Sequence, residues 1–289
     1  MRTSEWIQGG FAAILAVTAW FWPVAIRRRI NIVIFAAIAI AAILLVRLLA
    51  LFHPSETVSI LRDWLPVPLT LIPYWQTGQL FEGPNARIQD WLIANDRWFF
   101  KQASRLGWRL GPGIRLTLEW AYALCYPLAA VGLGVLYAAN LRSLVNLYWF
   151  FALVPTYICY AITPFFPALP PRSLTKTAKP KNFVLRKSRV FNLWLLQYGS
   201  IQAISFPSAH VASALAVSFV LLRFVPVAGM IFLAVSIWIG LAAVVGGYHY
   251  AIDVVLGAAV ALVVFAAWEL HLIPSTLLTA PATIFAGPL

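Results

Sequence analysis

Residues 30–51, INIVIFAAIAIAAILLVRLLAL, decide the class of fold. As a helix, these 22 residues cover the roughly 30 Å of a bilayer's hydrocarbon. Their one charge, Arg47, lies near enough to an end to snorkel toward the headgroups. Comparable runs occupy residues 6–25, 116–137, 144–165, 206–224, 227–246 and 251–270. The expected fold is therefore an all-α, polytopic transmembrane bundle of about six to seven spans. Composition agrees: 62% of the 289 residues are hydrophobic and only 10% charged, too much apolar surface for a soluble domain to bury. Residues 1–22 have the outline of a secretory signal. Their apolar run is long, lacks a clean cleavage site and is followed by Arg27, Arg28 and Arg29, so we read a retained membrane segment. Cys125 and Cys159 both fall in predicted spans and give no disulfide framework. With no internal repeat, the chain divides into N-terminal spans and an interfacial segment (1–115), a membrane core (116–270) and a tail (271–289).

The net charge of +12 concentrates in two connections, 52–115 and 166–205. In the first, Ile88, Trp91, Leu92, Trp98 and Phe99 alternate with charges at helical spacing over 86–106, which predicts an amphipathic helix lying in the interface. The second carries Arg172, Lys176, Lys179, Lys181, Arg186, Lys187 and Arg189 with no acidic residue. Such a segment suits anionic lipid headgroups or a phosphorylated substrate. No groove-reading helix or soluble module accompanies the charge, so nucleic acid is not an expected partner. Taken in order, the spans put both connections on one face and Arg27–Arg29, Arg142 and Arg223 on the other. The positive-inside bias is strongest in short loops, which places the long connections on the extracytoplasmic face of a cell membrane. A missed crossing near residues 65–75 would reverse this for part of the chain. The aromatic run Tyr148–Phe151 is expected in the interface belt.

Chemistry enters at two span starts. In SFPSAH, residues 205–210, Ser208 or Ser205 is placed to cap a helix whose free first-turn amides suit an anion, with His210 in that turn. In GGYHYAID, residues 246–253, His249 and Asp253 are four apart and share a helix face. A carboxylate there fixes the imidazole tautomer and raises its basicity, leaving the other nitrogen free to attack. An ordinary capped helix and a polar pair that pins two helices are the plainer readings of the same residues. Glu119 is a further carboxylate inside a span, suited to positioning an acceptor hydroxyl or to helix packing. Tyr248 and Tyr250 flank His249 and either line the site or anchor at the interface.

Together these residues resemble the signature blocks of the type 2 phosphatidic acid phosphatase (PAP2) superfamily. Pro207-Ser208-Ala209-His210 is similar to its second block, and His249 with Asp253 to its third. Residues 164–172, PFFPALPPR, resemble the first block of the inositol phosphorylceramide synthase-like branch, which transfers phospho-headgroups between lipids. The resemblance covers roughly residues 116–270 and implies a PAP2-like helical core. It implies a lipid phosphatase or phosphotransferase in which His249 attacks phosphorus, Asp253 holds it and His210 serves as acid and then base. Arg172 and Ser208 would bind the phosphate; Glu119 and Tyr248 are candidates for positioning the acceptor by their place in the sequence, outside what the resemblance implies. The Lys-x6-Arg-Pro form of the first block is absent: Lys179 and Arg186 have the spacing, but Lys187 follows. The arginine usual before the third-block histidine is also missing from 241–248, which raises the weight on Arg172. Two histidines and one carboxylate from two spans make a weak metal site, so neither metal nor cofactor is expected. The expected partners are membrane lipids and a phosphorylated lipid substrate. The competing class is a lipid or anion transporter; transporters more often show repeated halves and broken mid-membrane helices.

Overall fold

The structure, a computed structural model, describes residues 1–105, 110–174 and 183–273, and every regular element among them is helical. Helices α1 (Thr3–Phe21) and α2 (Ile26–Phe52) pack together. Three short helices follow, α3 (Glu56–Trp64), α4 (Pro66–Leu69) and α5 (Leu71–Gln79), and then α6 (Ala86–Arg105). Helices α7 (Pro112–Leu124) and α8 (Leu128–Ala138) meet at a bend of 73°. The central helix α9 (Val145–Ile162) carries a 3-10 turn at each end and contacts α1, α5, α8, α12 and α14. After it come α10 (Pro171–Leu174), α11 (Phe183–Gly199), α12 (Ala209–Phe224), α13 (Pro226–Val245) and α14 (Ala251–Glu269).

Four described helices are long and apolar enough to cross a membrane: Ile26–Phe52, Arg142–Phe165, Pro226–Val245 and Ala251–Glu269. The bent pair α7 and α8 makes a fifth if it counts as one span. The other two expected spans correspond to α1 and α12. The first turns of α1 carry Ser4, Glu5 and Gln8, all buried, with Glu5 paired to Arg62 and Gln8 donating to the Pro66 carbonyl. With 16 residues, α12 extends only ~24 Å.

The two ends of the bundle are fixed by contacts between segments distant in sequence. At one end Trp149 Nε1 donates to the Asp63 carbonyl (2.8 Å) and Arg142 Nε to the Asp63 carboxylate (2.7 Å). At the other end the Arg28 guanidinium reaches the Phe81 carbonyl, Trp22 meets Phe165 edge-on at 5.2 Å, and Asn85 N donates to Pro167 O (2.8 Å). The segment from α3 through α5 thus runs from one end to the other. Arg27–Arg29 consequently lie at the same end as residues 165–172, away from Arg142, and the expected grouping of Arg27–Arg29 with Arg142 and Arg223 is corrected. The extra passage escapes a hydropathy reading because it is broken into three short helices by Pro66, Pro68 and Pro73.

Two further expectations change. Tyr148, Trp149 and Phe151 are core residues with at most 1% exposure, because the helix that carries them is surrounded by others. The basic segment 166–205 contains the 17-residue helix α11, in which Ser188, Asn192 and Leu196 recur at helical spacing and are buried. Helix α6 forms nearly where expected. It buries Leu92 and Gln89 and leaves Trp91, Trp98 and Phe100 exposed. Its Asp96 accepts from Ala251 N (2.9 Å), capping α14 from a separate helix. Burial raises the Asp96 carboxyl to about 6; the Ala251 amide opposes that rise and Asp253 adds to it.

Candidate active site

The starts of α12 and α14 meet at the end of the bundle where α9 terminates and the 166–172 segment begins. Three sets of bonds hold that segment. Leu169 N donates to Gln89 Oε1 (2.8 Å) while Tyr250 Oη donates to Leu169 O (3.0 Å). Ile204 N donates to Ala168 O (2.9 Å), and Arg172 N to Gly247 O (2.9 Å). Gly247 has φ +67°, a left-handed conformation that glycine adopts without strain, and this turn presents its carbonyl to Arg172. The Arg172 guanidinium also donates to the Tyr248 carbonyl (3.4 Å), and its charge acts on both His210 and His249.

His249 Nδ1 lies 3.0 Å from Asp253 Oδ2, and His249 Nε2 lies 3.4 Å from His210 Nδ1. Asp253 accepts only, so when ionised it sets the His249 tautomer with the proton on Nδ1. The lone pair on Nε2 then faces His210. This order suits a nucleophile, with one nitrogen held by a carboxylate and the lone pair of the other turned toward a second histidine. His249 is 3% exposed and Asp253 fully buried, so the pair sits in a low-dielectric setting where its electrostatics are strong.

The second-block loop is positioned by α14. Ser208 N donates to Asp253 O (2.9 Å), and Gly257, one turn later, packs against Ser208 so closely that a Cβ there would collide with the Ser208 carbonyl. The cap of α12 comes from Ser205, whose Oγ accepts from Ala209 N (3.4 Å), whereas the Ser208 side chain makes no cap bond. Ser208 Oγ is buried without a hydrogen-bond partner, as is Asp253 Oδ1. Such groups are rare in folded proteins, and at the start of α12 and α14 they leave a donor and an acceptor for a bound molecule or water.

The remaining predicted residues form a neighbouring network. Tyr248 Oη donates to Glu119 Oε2 (2.5 Å), Asn192 Nδ2 donates to the same oxygen (2.7 Å), and Arg189 pairs with Glu119 Oε1 (3.1 Å). The Tyr248 ring stacks on Tyr122 at 3.7 Å, and Arg189 lies 4.7 Å over its other side. Tyr122 and Tyr126 in turn contact the His210 ring, at 6.1 and 5.8 Å between centroids. Glu119 and Tyr248 therefore spend their polar atoms on each other and on α11, and connect that helix to the histidines through stacked rings. Lys176, Lys179 and Lys181 lie outside the described residues.

Gly257, Asp96, Gln89 and Asn192 were not singled out from sequence. Gly257 carried a usable signal, since it stands four residues after Asp253 and so faces the same neighbour. Gly257→Ala pushes the start of α12 away from α14 and separates His210 from His249. Turnover at the site should fall about a hundredfold with the protein still monodisperse in detergent; wild-type turnover would show that this contact does not set the site.

Among known proteins, no curated protein and no solved structure matches the chain. The family model of the PAP2 superfamily matches residues 90–267, which contain every residue of the histidine site. That match covers more than half of the sequence, and the chain belongs to the PAP2 superfamily.

Proposed function

We propose that the protein is an integral membrane lipid phosphatase or phosphotransferase working through a phosphohistidine at His249. Membership of the superfamily supports phosphoesterase-type chemistry in general. The observation that carries the specific reading is the Asp253–His249–His210 line, with 3.0 and 3.4 Å between successive polar atoms.

In the proposed first step His249 Nε2 attacks phosphorus, the bond from phosphorus to the leaving oxygen breaks, and His210 delivers a proton to that oxygen. In the second step His210 takes a proton from water or an alcohol, whose oxygen attacks phosphorus and breaks the P–N bond. Water yields a phosphatase; a lipid or polyol hydroxyl yields a transferase. Arg172 and the first-turn amides of α12 would stabilise the equatorial oxygens, with Ser208 Oγ as a further donor. The tether of Arg172 to Gly247 and Tyr248 supports its standing in for the absent third-block arginine, in keeping with the synthase-like form of the first block. Glu119 and Tyr248 are proposed to place the acceptor through the ring stack.

A lipid substrate is supported by an apolar cavity of about 280 Å³ between α12, α13 and α14, whose walls include Val211, Leu215, Gly240, Ala251 and Val254, with Val211 and Val254 next in sequence to His210 and Asp253. Helix α6, with Trp91 and Trp98 outward, is proposed to lie along the interface above it. The test is phosphate or headgroup release from a panel of lipid phosphates and phosphodiesters in chelator. Turnover should persist in wild type and fall at least ~1000-fold in His249→Ala. Equal turnover in the variant, or none on any donor, would move the reading to binding or transport.

We keep the catalytic end on the extracytoplasmic face. Most of its charge sits in long connections, which the positive-inside bias discounts, and although the short Arg27–Arg29 turn lies there as well, Arg2, Arg62, Arg142 and Arg223 gather at the opposite end and outnumber it. A membrane-impermeant maleimide on intact cells should therefore label Gly83→Cys and not Ser143→Cys; the reverse pattern would turn the protein over in the membrane.

A further inference from the structure

At the opposite end of α9, some ~27 Å from the histidines by helix rise, lies a second cavity of a different character. It measures about 760 Å³ and is lined by Arg2, Glu56, Arg62, Asp63, Arg142 and Asn146, among others. Four of these six precede residue 90, so the N-terminal helices build much of this cavity outside the stretch matched by the family.

Its buried carboxylates are already saturated. Asp63 accepts from Arg2 on one oxygen, and from Tyr137 Oη (2.5 Å) and Arg142 Nε (2.7 Å) on the other. Glu5, just behind the wall, accepts from Arg62 Nε (2.8 Å) and from Arg2 N (2.8 Å). What remains open is a donor. Arg142 Nη2 is buried, with the guanidinium 5.5 Å from the Tyr137 ring, whereas the side chain as a whole is 33% exposed and its Nη1 lies 3.7 Å from Glu56, which is itself 83% exposed. That separation is longer than a hydrogen bond. Nη1 thus keeps donors for the cavity, and their complement is an anion with several oxygens in one plane or tetrahedron. The cavity sits at helix ends, the level of lipid headgroups in a spanning protein.

We propose that this cavity is a second anion site, distinct from the histidine site, that takes a phosphate group through Arg142. The bound phosphate displaces Glu56 from the guanidinium. A phospholipid headgroup and free phosphate share this chemistry.

The test counts ligands by native mass spectrometry on detergent-solubilised full-length protein carrying His249→Ala, so that nothing is turned over. With dihexanoyl phosphatidic acid as probe, two ligands per chain are expected. Arg142→Gln should remove one, weakening it about tenfold or more, and Arg172→Gln should weaken the other. Glu56→Gln removes a competing carboxylate on an exposed side chain and should tighten the Arg142-dependent site roughly two- to fivefold. Competition by inorganic phosphate marks a free-anion site, and its failure marks a lipid headgroup site. Unchanged stoichiometry and affinity in Arg142→Gln overturns the proposal, as does a wild-type complex holding only the Arg172-dependent ligand. If Arg142→Gln does not fold, Glu56→Gln decides, since unchanged or weaker binding there overturns it as well. The readout does not involve turnover, so a negative result leaves the phosphohistidine reading where it stands.

Discussion

The backbone bond from Ser208 N to Asp253 O is the contact on which the site depends. It joins the loop that starts α12 to the first turn of α14, and the missing side chain of Gly257 lets the two backbones approach. Asp253 thus has two roles. Its carbonyl fixes the second-block loop, and its carboxylate orients His249. The distance between the histidines follows from this one contact because His210 lies two residues after Ser208. A shift of about 1 Å here is enough to cost orders of magnitude in a reaction that needs aligned atoms.

Around that contact the rest of the chain supplies restraint. Helix α6 caps α14 through Asp96 and holds the 166–172 segment through Gln89, so an amphipathic helix outside the spans positions residues at the head of the core. Helix α11 braces the other side through Arg189 and Asn192, which hold Glu119 of α7, ending in the stack of Tyr248 on Tyr122. The central helix α9 joins this end to the Asp63 and Arg142 cluster at the far end, where α1, α3 and α9 converge. Each end therefore concentrates polar groups, while the middle is packed largely with Leu153, Val217 and Ala261, and there the Gln76 amide donates to the Ala12 and Ile32 carbonyls and Ser218 bonds to Ser236. That division is the one a bilayer imposes, since polar groups are costly at its centre and inexpensive at its surfaces.

The fold was legible where one element carried a complete signal. The continuous run in α2 and the His249/Asp253 spacing each needed only local rules, as did the amphipathic pattern of α6. What stayed hidden depended on neighbours. The passage from α3 to α5 is split by prolines, so no window of adequate length counts it as a span; a crossing near residues 65–75 is visible only as a possibility, and with it left out Arg27–Arg29 fall at the wrong end. The burial of Tyr148, Trp149 and Phe151 follows from the position of α9 among other helices, which hydropathy does not report. Helix α11 was obscured by its charge, although Asn192 and Leu196 mark a buried face. Pairings such as Asp96 with Ala251 or Asn192 with Glu119 join residues far apart in sequence, and no local pattern announces them.

The proposed chemistry requires that His249 Nε2 become bonded to phosphorus. The most direct measurement is to mix the purified protein with a radiolabelled lipid phosphate, quench it in base within the first turnover, and locate the label by peptide mapping. An acid-labile, base-stable phosphoryl group is expected on His249, absent from His249→Ala. Label on another residue, or turnover with no labelled protein at any time, would contradict it.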